Sequence, residues 1–206
     1  MWLLFAKGFA LGLAIAAPVG PIGLLCIRRT LAEGPAMGLA TGLGAATADA
    51  AYGAVAGFGL AVIADAIVAQ KGWLAVGGGL FLVLLGIRTA LARPSDPGIA
   101  ARAGARGLVA AWATTCLLTL ANPATILSFA AAFAGLGLAE WAGGTNAAMV
   151  LVTGVFLGSA LWWLALSTAV GLFRDRIGTT ASAWINRISG FALVAFGAGA
   201  VVAAIG

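Results

Sequence analysis

The stretch AAPVGPIG, residues 16–23, interrupts an apolar run that begins at Trp2 and continues to Ile27. Pro18 and Pro21 flank Gly20. Pro18 has no N–H to offer the carbonyl of Ala14, and Pro21 has none for that of Ala17. Gly20 is free to take backbone angles that other residues avoid. A segment otherwise suited to lipid therefore carries a break in its helix. Peptide groups freed in this way are costly in hydrocarbon, and are tolerated only where protein covers them or a wet cavity receives them.

The surrounding chain puts this break inside a bilayer. Of its 206 residues, 63% are hydrophobic and only 8% are charged, where a soluble domain carries about 25% charged residues. Mean hydropathy is +1.11. Apolar runs of about 20 residues mark membrane-spanning helices. Six are read here, at 2–27, 36–64, 72–91, 107–138, 147–172 and 187–205. The net charge of +5 is no nucleic-acid signal, because the basic residues are scattered among short gaps. Nine of them (Arg28, Arg29, Arg88, Arg93, Arg102, Arg106, Arg174, Arg176 and Arg187) belong with the gaps after spans one, three and five; only Lys7 and Lys71 fall on the other side. Basic residues stay cytoplasmic, so both termini are expected on the non-cytoplasmic side. The N-terminal run is not read as a cleaved signal, since Lys7 lies inside it and it runs on to Ile27.

Span four carries a second break. Residues 107–139 hold no charge, and as one straight helix they would be about 50 Å long against a hydrocarbon core of about 30 Å. Asn122-Pro123 sits in the middle, and Pro123 withholds an N–H from the carbonyl of Thr119. The halves also align with each other. LAIAAPVGPI from residue 13 matches the segment around TLANPATI, pairing Pro18 with Pro123. ATGLGAATA (40–48) matches VTGVFLGSA (152–160), and WLAVGGGLFLVLLG (73–86) matches WINRISGFALVAFG (184–197). The last pairing sets Gly79 against Gly190 and Gly86 against Gly197.

A three-span repeat must enter the membrane from opposite sides. The expected fold is an all-α membrane protein of six transmembrane helices, built as two inverted-topology three-helix repeats with helices 1 and 4 broken. Residues 1–206 form one domain: repeat one over 1–91, a cytoplasmic linker over 92–106 and repeat two over 107–206. Inverted repeats with broken helices mark secondary transporters, whose sites lie near the midplane between the halves. Unwound carbonyls suit an ammonium group, and the positive start of a half-helix suits a carboxylate, so a small zwitterion would use both.

Asp49 falls near the centre of span two with no charged neighbour in sequence. A carboxylate there costs roughly 3 kcal/mol on insertion scales, so it is expected to face the interior and to have a function. Protonation at Asp49 offers a way to couple transport to a proton gradient. Tyr52, the only tyrosine, lies three residues on and shares that face. The candidate substrate-binding residues are thus Pro18, Gly20, Pro21, Asp49, Tyr52, Asn122 and Pro123. Gly34, Gly38, Gly42, Ala46, Ala50 and Ala54 recur at intervals of four, a stripe that permits close helix contact within the protomer or across a dimer. Trp162 and Trp163 lie mid-span, where they either wall a cavity, pack or face lipid.

GFALGLAIAAPVGPIGLLCIRRTL (8–31), GLATGLGAATADAAYG (38–53) and LANPATILSF (120–129) together resemble the LysE/RhtB family of amino-acid exporters. The likeness covers nearly the whole chain. It implies a small inner-membrane exporter, driven by the proton-motive force and dimeric, with Pro18, Gly20, Pro21, Asp49, Asn122 and Pro123 at the site. Ala124 stands where many members carry lysine, so features that depend on that lysine are not carried over.

Two rival readings use the same residues. A thiol-redox carrier would use Cys26 in span one and Cys116 in span four, although neither adjoins its proline and buried cysteine is more often inert. A divalent-cation exporter would need several oxygen ligands, and Asp49 is the one deep carboxylate. With no histidine and no CxxC, neither a metal site nor a cofactor is expected.

Overall fold

A computed structural model of the protein describes residues 1–18, 20–58, 69–92, 104–135, 144–174 and 179–205. Among these, the regular structure is entirely helical: α1 (Trp2–Ala16), α2 (Pro21–Glu33), α3 (Pro35–Gly57), α4 (Lys71–Leu91), α5 (Ala105–Leu120), α6 (Pro123–Gly135), α7 (Gly144–Phe173) and α8 (Thr179–Ile205). Parts of α4, α7 and α8 (Gly72–Leu91, Gly144–Phe173 and Ala183–Ile205) are long and apolar enough to cross a membrane unaided.

Both expected breaks are present. α1 has 15 residues and α2 has 13, so neither alone reaches across about 30 Å at 1.5 Å per residue. Their axes are bent by 77°, and those of α5 and α6 by 63°. α2 and α6 each start on a proline, where a missing N–H costs nothing because the first amides of a helix have no partner in it. α2 runs past the expected span end through Arg28 and Arg29 to Glu33. α8 likewise begins eight residues before the apolar run that defined span six, and its membrane-spanning part starts at Ala183. α3 is long enough, at 23 residues, but its Gly, Ala and Thr content and Asp49 keep it below the apolarity of a self-sufficient span. Residues 59–64 of that expected span lie outside the described residues.

α3 and α7 form the centre. α7 packs on α1 and α3, α3 on α5 and α2, and α4 on α8. Backbone meets backbone at these crossings. A Cβ on Gly12 would overlap the Val155 carbonyl, and one on Gly158 would overlap that of Phe9, so α1 and α7 touch main chain to main chain. Gly44 lies equally close to the Trp112 carbonyl of α5. The small-residue stripe on α3 packs within the chain: Gly38 rests against Thr30 and Ser167, and Gly42 against Trp163. Where α4 crosses α8, Gly79 faces the Gly197 carbonyl and Gly86 faces that of Gly190, with an added Cβ 2.7 Å away in both cases. The order of contacts makes α1 parallel to α7 and α3 parallel to α5. It makes α3 antiparallel to α7 and α4 antiparallel to α8, as expected when successive spans alternate. Leu80, Leu84, Ile87, Leu127, Phe191 and Val202 remain exposed, the outward face that lipid would cover.

Polar side chains gather at one end of the bundle. Arg29 Nη1 on α2 donates to Thr41 Oγ1 at 3.0 Å on α3, and to the Ala111 carbonyl and Thr115 Oγ1 on α5 at 3.2 and 3.1 Å. Arg28 Nε donates to Asn186 Oδ1 of α8 at 3.5 Å, and Arg174 Nε donates to the Leu31 carbonyl at 3.1 Å. The end of α2 is thereby tied to every neighbour it packs against.

The glycine crossings generate a stability prediction. Gly12→Val should destabilise the protein in detergent by the ~1–3 kcal/mol typical of overpacking and so lower its thermal midpoint. Gly199→Ala, where an added Cβ meets nothing within 4 Å, should leave the midpoint unchanged or raise it. Equal midpoints for parent and Gly12→Val would contradict the close approach of α1 and α7.

Candidate functional site

The two breaks meet at one cavity of about 180 Å³. Its wall takes Pro18, Gly20 and Pro21 from the first break, Thr119 and Asn122 from the second, and Asp49 from α3. Ala124, Thr125 and Ser128 of α6 and Trp163 of α7 complete the polar and aromatic part of the wall. Five of the seven residues singled out in the sequence are thus brought together. Tyr52 and Pro123 are not part of the wall; Tyr52 bonds to the Leu120 carbonyl at the second break and Pro123 starts α6.

At the second break the chain satisfies its own freed groups. The Thr119 carbonyl, deprived of a partner by Pro123, accepts from the Asn122 N–H at 3.2 Å. Asn122 Oδ1 accepts from the Ala124 N–H at 3.1 Å and so caps α6. With Ala124 thus engaged, the Leu120 carbonyl accepts instead from the Tyr52 hydroxyl at 2.7 Å. The Tyr52 ring stacks on Phe129, centroids 5.2 Å apart. Tyr52 and Asn122 therefore carry structural duties whatever else they do.

The first break is left more open. Gly20 is the N-cap of α2 with φ −109 and ψ −164, ordinary extended backbone that any residue adopts. The conformational freedom that the sequence offers at Gly20 is not used. What its missing side chain provides is space, since a Cβ there would meet nothing within 4 Å. No side chain caps α2, so the Ile22 and Gly23 amides at its start carry the partial positive charge of a helix N-terminus at the cavity wall.

Asp49 is 3% exposed. Its Oδ2 accepts from Ser159 Oγ at 2.7 Å, and Ser159 Oγ accepts from Trp163 Nε1 at 3.1 Å. The carboxylate is thus held by α7 across the central α3–α7 crossing. Trp163, left open as wall, packing or lipid-facing, is 4% exposed and lines the cavity. Thr119 is also 3% exposed, and its hydroxyl is the one buried side-chain polar atom among the described residues without a hydrogen-bond partner. Such a group ordinarily costs about 1–3 kcal/mol.

Sequence reasoning missed Ser159, Thr125, Ser128 and the Thr119 side chain. A faint signal existed for Ser159, because the repeat alignment pairs it with Thr47, another hydroxyl in mid-helix. The cysteines lie elsewhere. Cys26 Sγ is buried and donates to the Gly38 carbonyl at 3.4 Å, Cys116 is partly buried, and both are free thiols. Among the described residues, no three His, Cys, Asp or Glu come together as metal ligands would.

Removing the cap is measurable. Asn122→Ala should lower stability by about 1 kcal/mol, and Asn122→Ser, a comparable cap without a charge, should restore most of it. Equal melting of Asn122→Ala and parent would mean that the side chain does not organise the break.

Comparison with known proteins fits this geometry. The family model described as LysE type translocator matches residues 13–204. The Bacillus subtilis (strain 168) protein named "Putative amino acid efflux protein YcgF" is 27% identical over 196 residues, covering 94% of this chain and 93% of that protein. No solved structure matches the chain.

Proposed function

The chain belongs to the LysE type translocator family and is a transporter rather than an enzyme; from that premise we propose that it exports a small amino acid or related zwitterion. Export across the inner membrane is driven by the proton-motive force, with Asp49 as the coupling carboxylate. The observation that carries this reading is the cavity, where two broken helices and the buried Asp49 converge. Asp49 suits the ammonium, and the uncapped start of α2 suits the carboxylate. Pro18, Gly20, Pro21, Asp49, Asn122 and Pro123 form the site, with Tyr52 bracing it through Leu120. A hard divalent cation wants several oxygen ligands, mostly carboxylates, and Asp49 is the single acid in the wall.

The fold in this proposal is a six-span inverted repeat. Support comes from α4 and α8. The repeat alignment equates Gly79 with Gly190 and Gly86 with Gly197. The contact of Gly79 with Gly197 then becomes the image of the contact of Gly190 with Gly86, as a pseudo-twofold axis between these helices demands. The basic residues support a topology with both termini outside, because Arg28, Arg29 and Arg174 gather at one end of the bundle. In this reading the working unit is a homodimer.

Efflux of labelled amino acids from loaded vesicles tests the proposal. The parent should release at least one amino acid, and a protonophore should suppress the release. Asp49→Asn should slow it about tenfold or more, as expected for loss of a charge-assisted hydrogen bond worth ~1.5–3 kcal/mol. Unchanged efflux in Asp49→Asn would remove Asp49 from the mechanism. A parent that moves no amino acid would overturn the function.

A further inference from the structure

Among the described residues, the buried helical threonines follow one habit, with one exception. The four other buried threonines, Thr30, Thr41, Thr89 and Thr115, each donate to the carbonyl four residues back, at 2.7–2.9 Å. This is the usual way for a buried hydroxyl to satisfy itself inside a helix. Thr119 breaks the habit: its hydroxyl has no partner in the protein, although the residue is 3% exposed and lies in the last turn of α5. It belongs to the wall of the cavity that Asp49 also lines. The register of the parallel pair α3 and α5 sets the two at one level. Gly44 lies opposite Trp112 and Cys116, and Tyr52 reaches Leu120. Asp49, between Gly44 and Tyr52, is therefore level with the last turn before Leu120, which holds Thr119.

A primary ammonium presents three N–H donors, and a single carboxylate oxygen satisfies only part of that set. Ser159 already takes one acceptor site of Asp49, on Oδ2. We propose that the Thr119 hydroxyl is the second acceptor for the substrate's ammonium group, so that Asp49 supplies the charge and Thr119 the direction. This rests on the reading of the cavity as the transport site. It makes Thr119 a specificity-determining residue for solutes that bear N–H donors.

Thr119→Val keeps the shape and removes the hydroxyl; Thr119→Ser restores it. The probe is the labelled amino acid that the parent exports fastest from a mixture of the twenty. Thr119→Val should raise its half-saturating concentration about tenfold with the maximal rate kept, the signature of one lost hydrogen bond to a charged group. Thr119→Ser should return it to near the parental value. The thermal midpoint of Thr119→Val should be equal to the parent's or higher, because no protein partner is lost. The methyl ester of the same amino acid keeps the ammonium and lacks the carboxylate charge. As an inhibitor it should weaken in Thr119→Val by the same factor as the substrate.

An unchanged half-saturating concentration, or a change in maximal rate or midpoint alone, overturns the inference. So does an ester that inhibits both proteins equally, which would give the hydroxyl to the carboxylate, or one that inhibits neither. If Asp49→Asn abolishes export while Thr119→Val behaves as the parent, only the Thr119 assignment fails. A parent without export removes both.

Discussion

Lipid offers no hydrogen bonds, and the structure is organised by what that denies to a broken helix. Pro18, Pro21 and Pro123 each withhold an N–H inside an apolar run. The chain answers with groups from elsewhere. Asn122 turns its own amide and side chain back onto the second break, and Tyr52 reaches across from α3 to the Leu120 carbonyl. These repairs fix where α3 must lie relative to α5 and α6. They also fix the depth of Asp49, one turn before Tyr52. The polar cavity is a consequence of breaking the helices and then covering the breaks with protein.

Covering them requires helices to approach more closely than side chains normally allow. Glycine makes that possible at Gly12, Gly158 and Gly44, where main chain lies on main chain. Such contacts replace the hydrophobic effect, which does not drive association between helices already in lipid. The arginines at the far end of α2 act alongside. Arg28 and Arg29 anchor a half-helix too short to span the membrane to α3, α5 and α8, and Arg174, the residue after α7, bonds to its Leu31 carbonyl.

Much of this was legible in the residues themselves. Proline and the length of an uncharged run located both breaks, because a missing N–H is a property of residue type. The isolation of Asp49 in an apolar run located the buried acid. What the sequence did not disclose depends on contacts between segments distant in the chain. Ser159 is one small hydroxyl among many until α7 packs on α3 and sets it 2.7 Å from Asp49. Tyr52 shares the face of Asp49, yet its hydroxyl is captured by a carbonyl 68 residues away. Gly20 offers conformational freedom in the sequence, whereas at its extended φ of −109 the structure draws only on its lack of bulk. The direction in which the α3 stripe packs was open in the sequence and is settled by Trp163 and Ser167.

The hydrogen-bonded row from Trp163 through Ser159 to Asp49 has a grammar that indole chemistry dictates. An indole nitrogen can only give a proton, never take one. Ser159 therefore receives from Trp163 and passes its own single hydrogen onward to Oδ2 of Asp49. A carboxylate offers about four acceptor sites over its two oxygens. The row spends one of them on anchorage and leaves the others to the cavity that Asp49 lines.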